Sequence, residues 1–304
     1  MDRQVSPVVN RNRCTGCGLC VEICPSDTLS MVDGKATVTG SRSLSCGQCA
    51  AVCLVGAITN PNLDPGAYAF ETFRMDENWL PWGKADVAEL VRLMASRRSC
   101  RRYENQPVPA ATLRDLVKIG LTAPSGTNSQ PWRFTLVSSR REMIFFGERI
   151  ADFYRYLNRI SERAWLRHLL KWFGKPELDF YYRNYHDRIV DALQEWQRDG
   201  RDRVFHGAPS AIIVSCRPGA SCPSEDALLA TQNILLGAHA LGLGTCLIGF
   251  AVEAIKRDAA IKRFLDITQE ETVYSVIALG YPAVIYQTIT GRKTPLIRTL
   301  KMHP

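Results

Sequence analysis

The chain has 304 residues, 46% hydrophobic and 22% charged, which is ordinary for a soluble globular protein and long enough for two domains or one large one. Its formal net charge of +8 is dispersed, so composition alone points to no nucleic-acid-binding face. Seven of the eleven cysteines fall within residues 14–53, and the opening MDRQVSPVVNRNRC has no secretory leader pattern, which excludes a small disulfide-stapled secreted protein and favours thiolates gathered on metal in a reducing, cytoplasmic compartment.

Cys14, Cys17, Cys20 and Cys24 follow C-x2-C-x2-C-x3-C, with Pro25 next. In the bacterial iron–sulfur run of this spacing, three thiolates hold one cubane and the fourth reaches another cluster. Structural zinc is the plain alternative, but zinc takes four ligands, commonly as two separated C-x2-C pairs, and seven cysteines in this phase argue against it. A second copy, SRSLSCGQCAAVC, aligns Cys46, Cys49 and Cys53 with Cys17, Cys20 and Cys24, and puts Ser43 where the first copy has Cys14.

Residues 1–60 thus resemble a two-cluster bacterial-type ferredoxin. The resemblance implies one [4Fe–4S] cluster on Cys14, Cys17, Cys20 and Cys53. It implies a second on Cys24, Cys46 and Cys49, with Ser43 at the vacant corner and Leu54 replacing the expected proline. That second cluster is expected as a [3Fe–4S] form or an atypically ligated [4Fe–4S] form. Failure to assemble is the third outcome, disfavoured because three converging free thiols invite oxidation.

Pro61, Pro65 and Gly66 mark an exposed connection, so residues 61–83 read as a linker and 84–304 as a second domain. Val87, Leu90, Val91 and Met94 form one apolar helical face. Arg97, Arg98, Arg101 and Arg102 follow in RRSCRRY, either a solvated cluster or a phosphate clamp. A helix is expected from about Ala110 to Leu121, then the polar loop APSGTNSQPW, then a strand from about Arg133. Residues 140–203 are rich in aromatics, with 14 Lys and Arg against 11 Asp and Glu, a balance that suits solvated helices with an aromatic face. The uncharged stretch Ala227–Val252 is broken by Gly242, Gly244 and Gly249 and reads as a buried helix ending in a glycine turn, not a membrane span. RFTLVSS, SAIIVSC and VYSVIALG are the strand candidates.

RRSCRRY and APSGTNSQPW at this separation, with FHGAPSAIIVSC, LLATQNILLGAHALGLGTCLIGF, VIALGYP and GRKTP, are similar to the FMN-binding elements of the nitroreductase family. The similarity covers residues 95–304, apart from about 140–203. It implies an α+β sandwich fold, a homodimer, and FMN at the subunit interface. Arg97, Arg98, Ser99 and Arg101 would contact the ribityl phosphate, with Arg292 and Lys293 closing on it. Pro124, Ser125, Asn128 and Gln130 would border the isoalloxazine. Ile248 and Gly249 would lie near N5, a backbone N–H donating. Cys100 reads as a small buried thiol, and no side chain is named as a catalytic acid. Residues 140–203 become a helical insertion, expected as a lid or pocket wall. His168, His186 and His206 carry no ligand spacing.

The expected function is an FMN-dependent oxidoreductase passing electrons from the clusters to FMN and on to an electron-poor small molecule: a nitroaromatic, a quinone or an activated alkene. The donor would be an external ferredoxin or other redox protein. NAD(P)H reducing the flavin directly, or a non-catalytic redox carrier or sensor, are the competing readings.

Overall fold

A computed structural model describes residues 5–300. Near the amino end, Gly18 (φ 80°) and Gly47 (φ 76°) take the left-handed conformation that glycine adopts freely, and each starts a single helical turn, α1 (Leu19–Glu22) and α2 (Gln48–Ala51). The two cysteine copies therefore share one local geometry. Strand β1 (Val8–Val9) pairs antiparallel with β4 (Ile58–Thr59), tying the ends of the unit, and β2 (Leu29–Val32) forms a hairpin with β3 (Lys35–Val38). Its core is small: Cys20, Leu29, Ala36, Cys49 and Ile58 are its buried members. A unit this size needs a staple, which a metal bound by its cysteines would supply.

The linker is fastened to the second domain. Asp115 of α4 (Ala110–Gly120), a fully buried carboxylate, accepts hydrogen bonds from the amides of Glu71 (2.9 Å) and Thr72 (2.6 Å) and from the Thr72 hydroxyl (2.7 Å). Arg114 pairs with Glu71 through two nitrogens, at 2.8 and 2.7 Å, and the Phe70 and Phe73 rings stack at 4.4 Å.

Helix α3 (Val87–Ser96) is capped by Asp86, whose carboxylate accepts from the amides of Ala88 and Glu89. The main sheet runs β5–β6–β8–β7, with β5 Trp132–Val137, β6 Ser210–Cys216, β7 Gly244–Leu247 and β8 Thr272–Gly280, every pair antiparallel. Along β6, Ala211 and Ile213 face one core and Ile212 and Val214 the other, as the two-residue period of a strand covered on both faces requires. The first core adds Met143, Phe146 and Ile150 of α5 (Arg140–Ser161), Leu193 of α8 (His186–Asp199), Ile255 of α10 (Gly249–Arg257) and Ile261 of α11 (Ala259–Phe264). The second adds Leu113 and Leu116 of α4 and Ile234 and Leu235 of α9 (Pro223–Ala240). Helices thus cover both faces of a mixed sandwich.

Residues 140–203 form four helices: α5, α6 (Ala164–Trp172), α7 (Glu177–Asn184) and α8. Ser139 starts α5 with a capping box, accepting from the Glu142 amide while the Glu142 carboxylate accepts from the Ser139 amide. Their aromatics lean on the first turn of α10. Tyr154 donates to the Phe250 carbonyl at 2.9 Å, and the Tyr154 and Tyr185 rings each meet Phe250 edge-on at 5.7 Å.

Much apolar surface is uncovered. The α3 face and the tail side chains Ile285, Leu296, Ile297 and Leu300 are exposed. The chain exposes 19,297 Å², whereas a compact monomer of 34.0 kDa exposes about 12,800 Å². Among the described residues no helix is long and apolar enough to cross a membrane.

Candidate functional site

The seven amino-terminal cysteines line two cavities. Cys14, Cys17, Cys20 and Cys53 border one, with Leu19, Leu54 and Val55 at its rim. Cys24, Cys46, Cys49 and Ser43 border the other, with Leu44 beside them. Among the described residues no three His, Cys, Asp or Glu side chains gather tightly enough to share one metal ion, as zinc would demand. The thiols stand around hollows instead, an arrangement that suits a multi-iron cluster.

Backbone amides are aimed at the sulfurs. Thr28 N–H reaches Cys24 Sγ at 3.4 Å, and Ala57 N–H reaches Cys53 Sγ at 3.1 Å. Hydrogen bonding from the backbone at Ala36 and Gly16 holds the Cys14 thiol below its ordinary pKa, which favours the ligating thiolate. Burial pushes Cys24 up, but donors from Thr28, Ser26 and Leu29 outweigh it and the net direction is down. Burial dominates at Cys20 and Cys49, which are raised. The Ser43 hydroxyl oxygen accepts from the Ser45 amide at 3.0 Å.

A second cluster of charge lies at the β7 edge of the main sheet. Ser99 bridges to Thr245 of β7, and the Cys100 amide donates to the Thr245 carbonyl at 2.8 Å. This bonding carries Arg97, Arg98 and Arg101 along that edge. The tail returns to them: Arg98 donates to Thr290 Oγ1 at 3.0 Å, and Arg292 lies close enough to repel Arg97. Burial first, and then Arg292 and Arg98, pull Arg97 below the ordinary guanidinium range. Among the described residues none of Arg97, Arg98, Arg101, Arg292 and Lys293 pairs with a carboxylate. Converging cations without a protein anion fit a phosphate. Cys100 is buried and its thiol donates to the Arg102 carbonyl at 3.1 Å.

The loop before β5 is held by Asp226, a buried carboxylate in the first turn of α9. Asp226 accepts from the Gly126 amide (2.8 Å) and the Ser129 hydroxyl (3.2 Å), and its carbonyl accepts from Trp132 Nε1 (2.9 Å). Ser125 Oγ accepts from the Gln130 amide at 3.0 Å. The Asn128 side chain reaches across to the cysteine unit. Its amide donates to the carbonyls of Leu44 (3.3 Å) and Ser45 (3.0 Å), and its oxygen accepts from Gln130 Nε2 (3.1 Å). The loop expected to border a flavin ring is therefore bonded to the strip of chain that walls the second cysteine cavity.

One expectation needs correction. The Ile248 amide donates to the Val276 carbonyl at 2.9 Å, continuing the sheet, so it is not an open donor. Gly249 begins α10, whose first turn has no side-chain cap, and its amide is the position left to serve that role.

The cofactor-site residues fall into two groups. Arg97, Arg98, Ser99, Arg101, Ile248, Gly249 and Arg292 belong to the β7 edge, with Lys293 next to Arg292 in the chain, and Pro124, Ser125, Asn128 and Gln130 belong to the start of β5. Trp132 aligns through Cys216 with Thr272, while Thr245 aligns with Leu279, seven residues along β8. Strand geometry converts that offset, and the three strand spacings between the edges, into about 23 Å and about 14 Å, a diagonal of about 27 Å. Trp132 closes the 124–131 loop and Thr245 pairs with Ser99, so the two groups start from opposite corners of the sheet.

Sequence reasoning missed Asp226 and Asp115. Each is an acid in an ordinary helical setting, and only tertiary structure reveals which distant amides it holds.

Comparison with known proteins gives a consistent picture. The sequence model described as "Nitroreductase family" matches residues 94–281, and that of a "4Fe-4S binding domain" matches residues 7–30. A Thermus thermophilus protein named NADH dehydrogenase is 27% identical over 62% of this chain and 83% of its own length. A 4-nitrobenzoate reductase of Nocardioides sp. is 26% identical over 62% and 78%. Among solved structures, a Bacteroides fragilis nitroreductase with bound FMN aligns with a TM-score of 0.50 at 22% identity, covering 69% of this chain and 99% of that one.

Proposed function

This chain belongs to the nitroreductase family, and from that premise we propose that it is an FMN-dependent oxidoreductase fed by iron–sulfur clusters in its own amino-terminal unit. The organisation is a ferredoxin-type unit over 1–60, a linker over 61–83, and a flavin domain over 84–304. Cys14, Cys17, Cys20 and Cys53 hold a [4Fe–4S] cluster. Cys24, Cys46 and Cys49 hold a second, of [3Fe–4S] type or with an atypical fourth ligand at the Ser43 corner. Bound clusters carry single electrons, and bound FMN collects two and releases them as a hydride.

The arginines at the β7 edge and the returning tail would neutralise the phosphate, the Gly249 amide would supply a donor to the ring, and the loop held by Asp226 would border it. The aromatic helices α5 to α8, leaning on Phe250 beside Gly249, exclude water and shape an apolar pocket for a flat acceptor such as a nitroaromatic, a quinone or an activated alkene. The working form is a homodimer. The surplus of exposed surface and the separation of Trp132 from Thr245, about 27 Å by strand geometry, both support a site completed by a second copy.

The observation that carries this reading is the Asn128 junction: a loop that walls one cysteine cavity is hydrogen-bonded to the loop assigned to the ring. Anaerobic purification with iron counting and flavin extraction tests it. Seven or eight irons and one FMN per chain, about what the two cluster types hold, are expected; about four irons, or no flavin, overturns it. Stopped-flow bleaching of the flavin by reduced ferredoxin, compared with NADH and NADPH, identifies the donor. The name of the Thermus relative favours the nicotinamide arm as the second reading, with the clusters then serving as the exit.

A further inference from the structure

We infer that electrons cross between subunits: the cysteine unit of one protomer serves the flavin whose phosphate is held by the arginine cluster of its partner. This rests on the cluster-fed, dimeric reading above and deepens it. Three observations lead to it. First, the set of Cys24, Cys46 and Cys49 is the inner one. Ser43 and Leu44 wall its cavity, and Leu44 and Ser45 receive the Asn128 amide. The other set is the outer one, with Cys17 exposed and Leu54 89% exposed at the cavity rim.

Second, the chain fixes this cysteine unit to its own flavin domain at two points. Asn128 fastens the inner loop, and the buried Asp115 fastens residues 71 and 72 of the linker. The inner set therefore travels with the 124–131 loop of the same chain. Third, Trp132 at the end of that loop and Thr245, which pairs with Ser99 among the arginines, lie about 27 Å apart by sheet register. A ring bordered by this loop has its phosphate in the cluster of the second copy, so the nearest cysteine set and the phosphate clamp of one flavin come from different chains.

The electron count is simple. Two molecules of a one-electron protein donor are each oxidised by one electron, and the electrons pass in turn through the outer and inner sets. Together with one proton from water they bring the flavin to its two-electron reduced anion.

Heterodimers carrying two different affinity tags test the path. Arg97→Glu with Arg98→Glu empties one clamp, and Cys49→Ala breaks one inner set. In the divided dimer the two lesions lie on different chains; in the combined dimer both lie on one chain opposite a wild-type partner. The readout is the spin relaxation of the flavin radical, made by partial dithionite titration and followed by electron paramagnetic resonance power saturation; a paramagnetic cluster close by accelerates it. Fast relaxation in the divided dimer and its loss in the combined dimer are expected. The reverse pattern overturns the cross-subunit path alone, as does equal relaxation in both. Slow relaxation in the wild-type homodimer overturns it together with the cluster-fed reading. If Cys49→Ala fails to fold, Asn128→Leu replaces it, since every cysteine is kept. Loss of fast relaxation at unchanged iron content is then expected, and unaltered relaxation overturns the assignment of Asn128 as the positioning residue of the junction.

Discussion

Replacing Asp115 with alanine is expected to release the linker without dissolving either domain. The carboxylate is fully buried and accepts from two amides and one hydroxyl, at 2.6–3.0 Å. Hydrogen bonds to a charged acceptor each contribute about 1.5–3 kcal/mol, but those sharing one group are not additive, so about 3–5 kcal/mol is expected for the set. Because residues 71 and 72 can reach water once freed, the loss is local. A loss of about 3 kcal/mol speeds hydrogen exchange at the Glu71 and Thr72 amides by about a hundredfold, while the β6 and β8 amides keep their protection. Asp115→Asn, which keeps the volume and one good acceptor, should fall between. Burial raises the Asp115 pKa, but Thr72, Glu71 and Lys118 outweigh it and the folded value lies below the ordinary carboxylate range. The clamp is therefore complete above the unfolded carboxyl value, about pH 4, and weakens as pH falls through the lower folded value. Exchange measured against pH in acid should show that dependence in the wild type and lose it in Asp115→Asn. Unchanged exchange at residues 71 and 72 in Asp115→Ala would refute the clamp.

Gly244→Ala should destabilise the flavin domain by about 1–3 kcal/mol in urea unfolding. The new Cβ would sit 2.7 Å from Cys100 Cβ, so Cys100→Ala should not rescue it and Cys100→Gly should. Removing residues 284–304 deletes Arg292 and the exposed Ile285, Leu296, Ile297 and Leu300; sedimentation should show monomers, and extraction should show lost flavin. Arg97→Ala should weaken FMN binding about tenfold to a hundredfold, the contribution of one charge-assisted phosphate contact, read by equilibrium titration of the stripped protein.

What was legible in the sequence was what local spacing encodes. The cysteine copies give their register through CGLC and CGQC, and SAIIVSC reads as a buried strand because β-branched residues run unbroken along it. The helix after Asp86 shows its apolar face, while its Asp86 cap is a finding of the structure. Strand β7 escaped notice, since GTCL is four residues long and begins with glycine. Its consequence escaped too: extending β7 to Ile248 uses the amide that sequence reasoning offered to the flavin. The junction that Asn128 makes is not readable in sequence, because the carbonyls it binds lie more than 80 positions earlier. Nor does any one-dimensional pattern reveal that RRSCRRY and APSGTNSQPW, twenty-odd residues apart, occupy opposite corners of a sheet.

The repulsion between Arg97 and Arg292 bears on how the tail closes. A tail that must bring its own cation against two others closes unwillingly until a dianion sits between them. Flavin phosphate bound at this edge, as proposed, would therefore favour the wrapped tail, and the wrapped tail would favour binding in return.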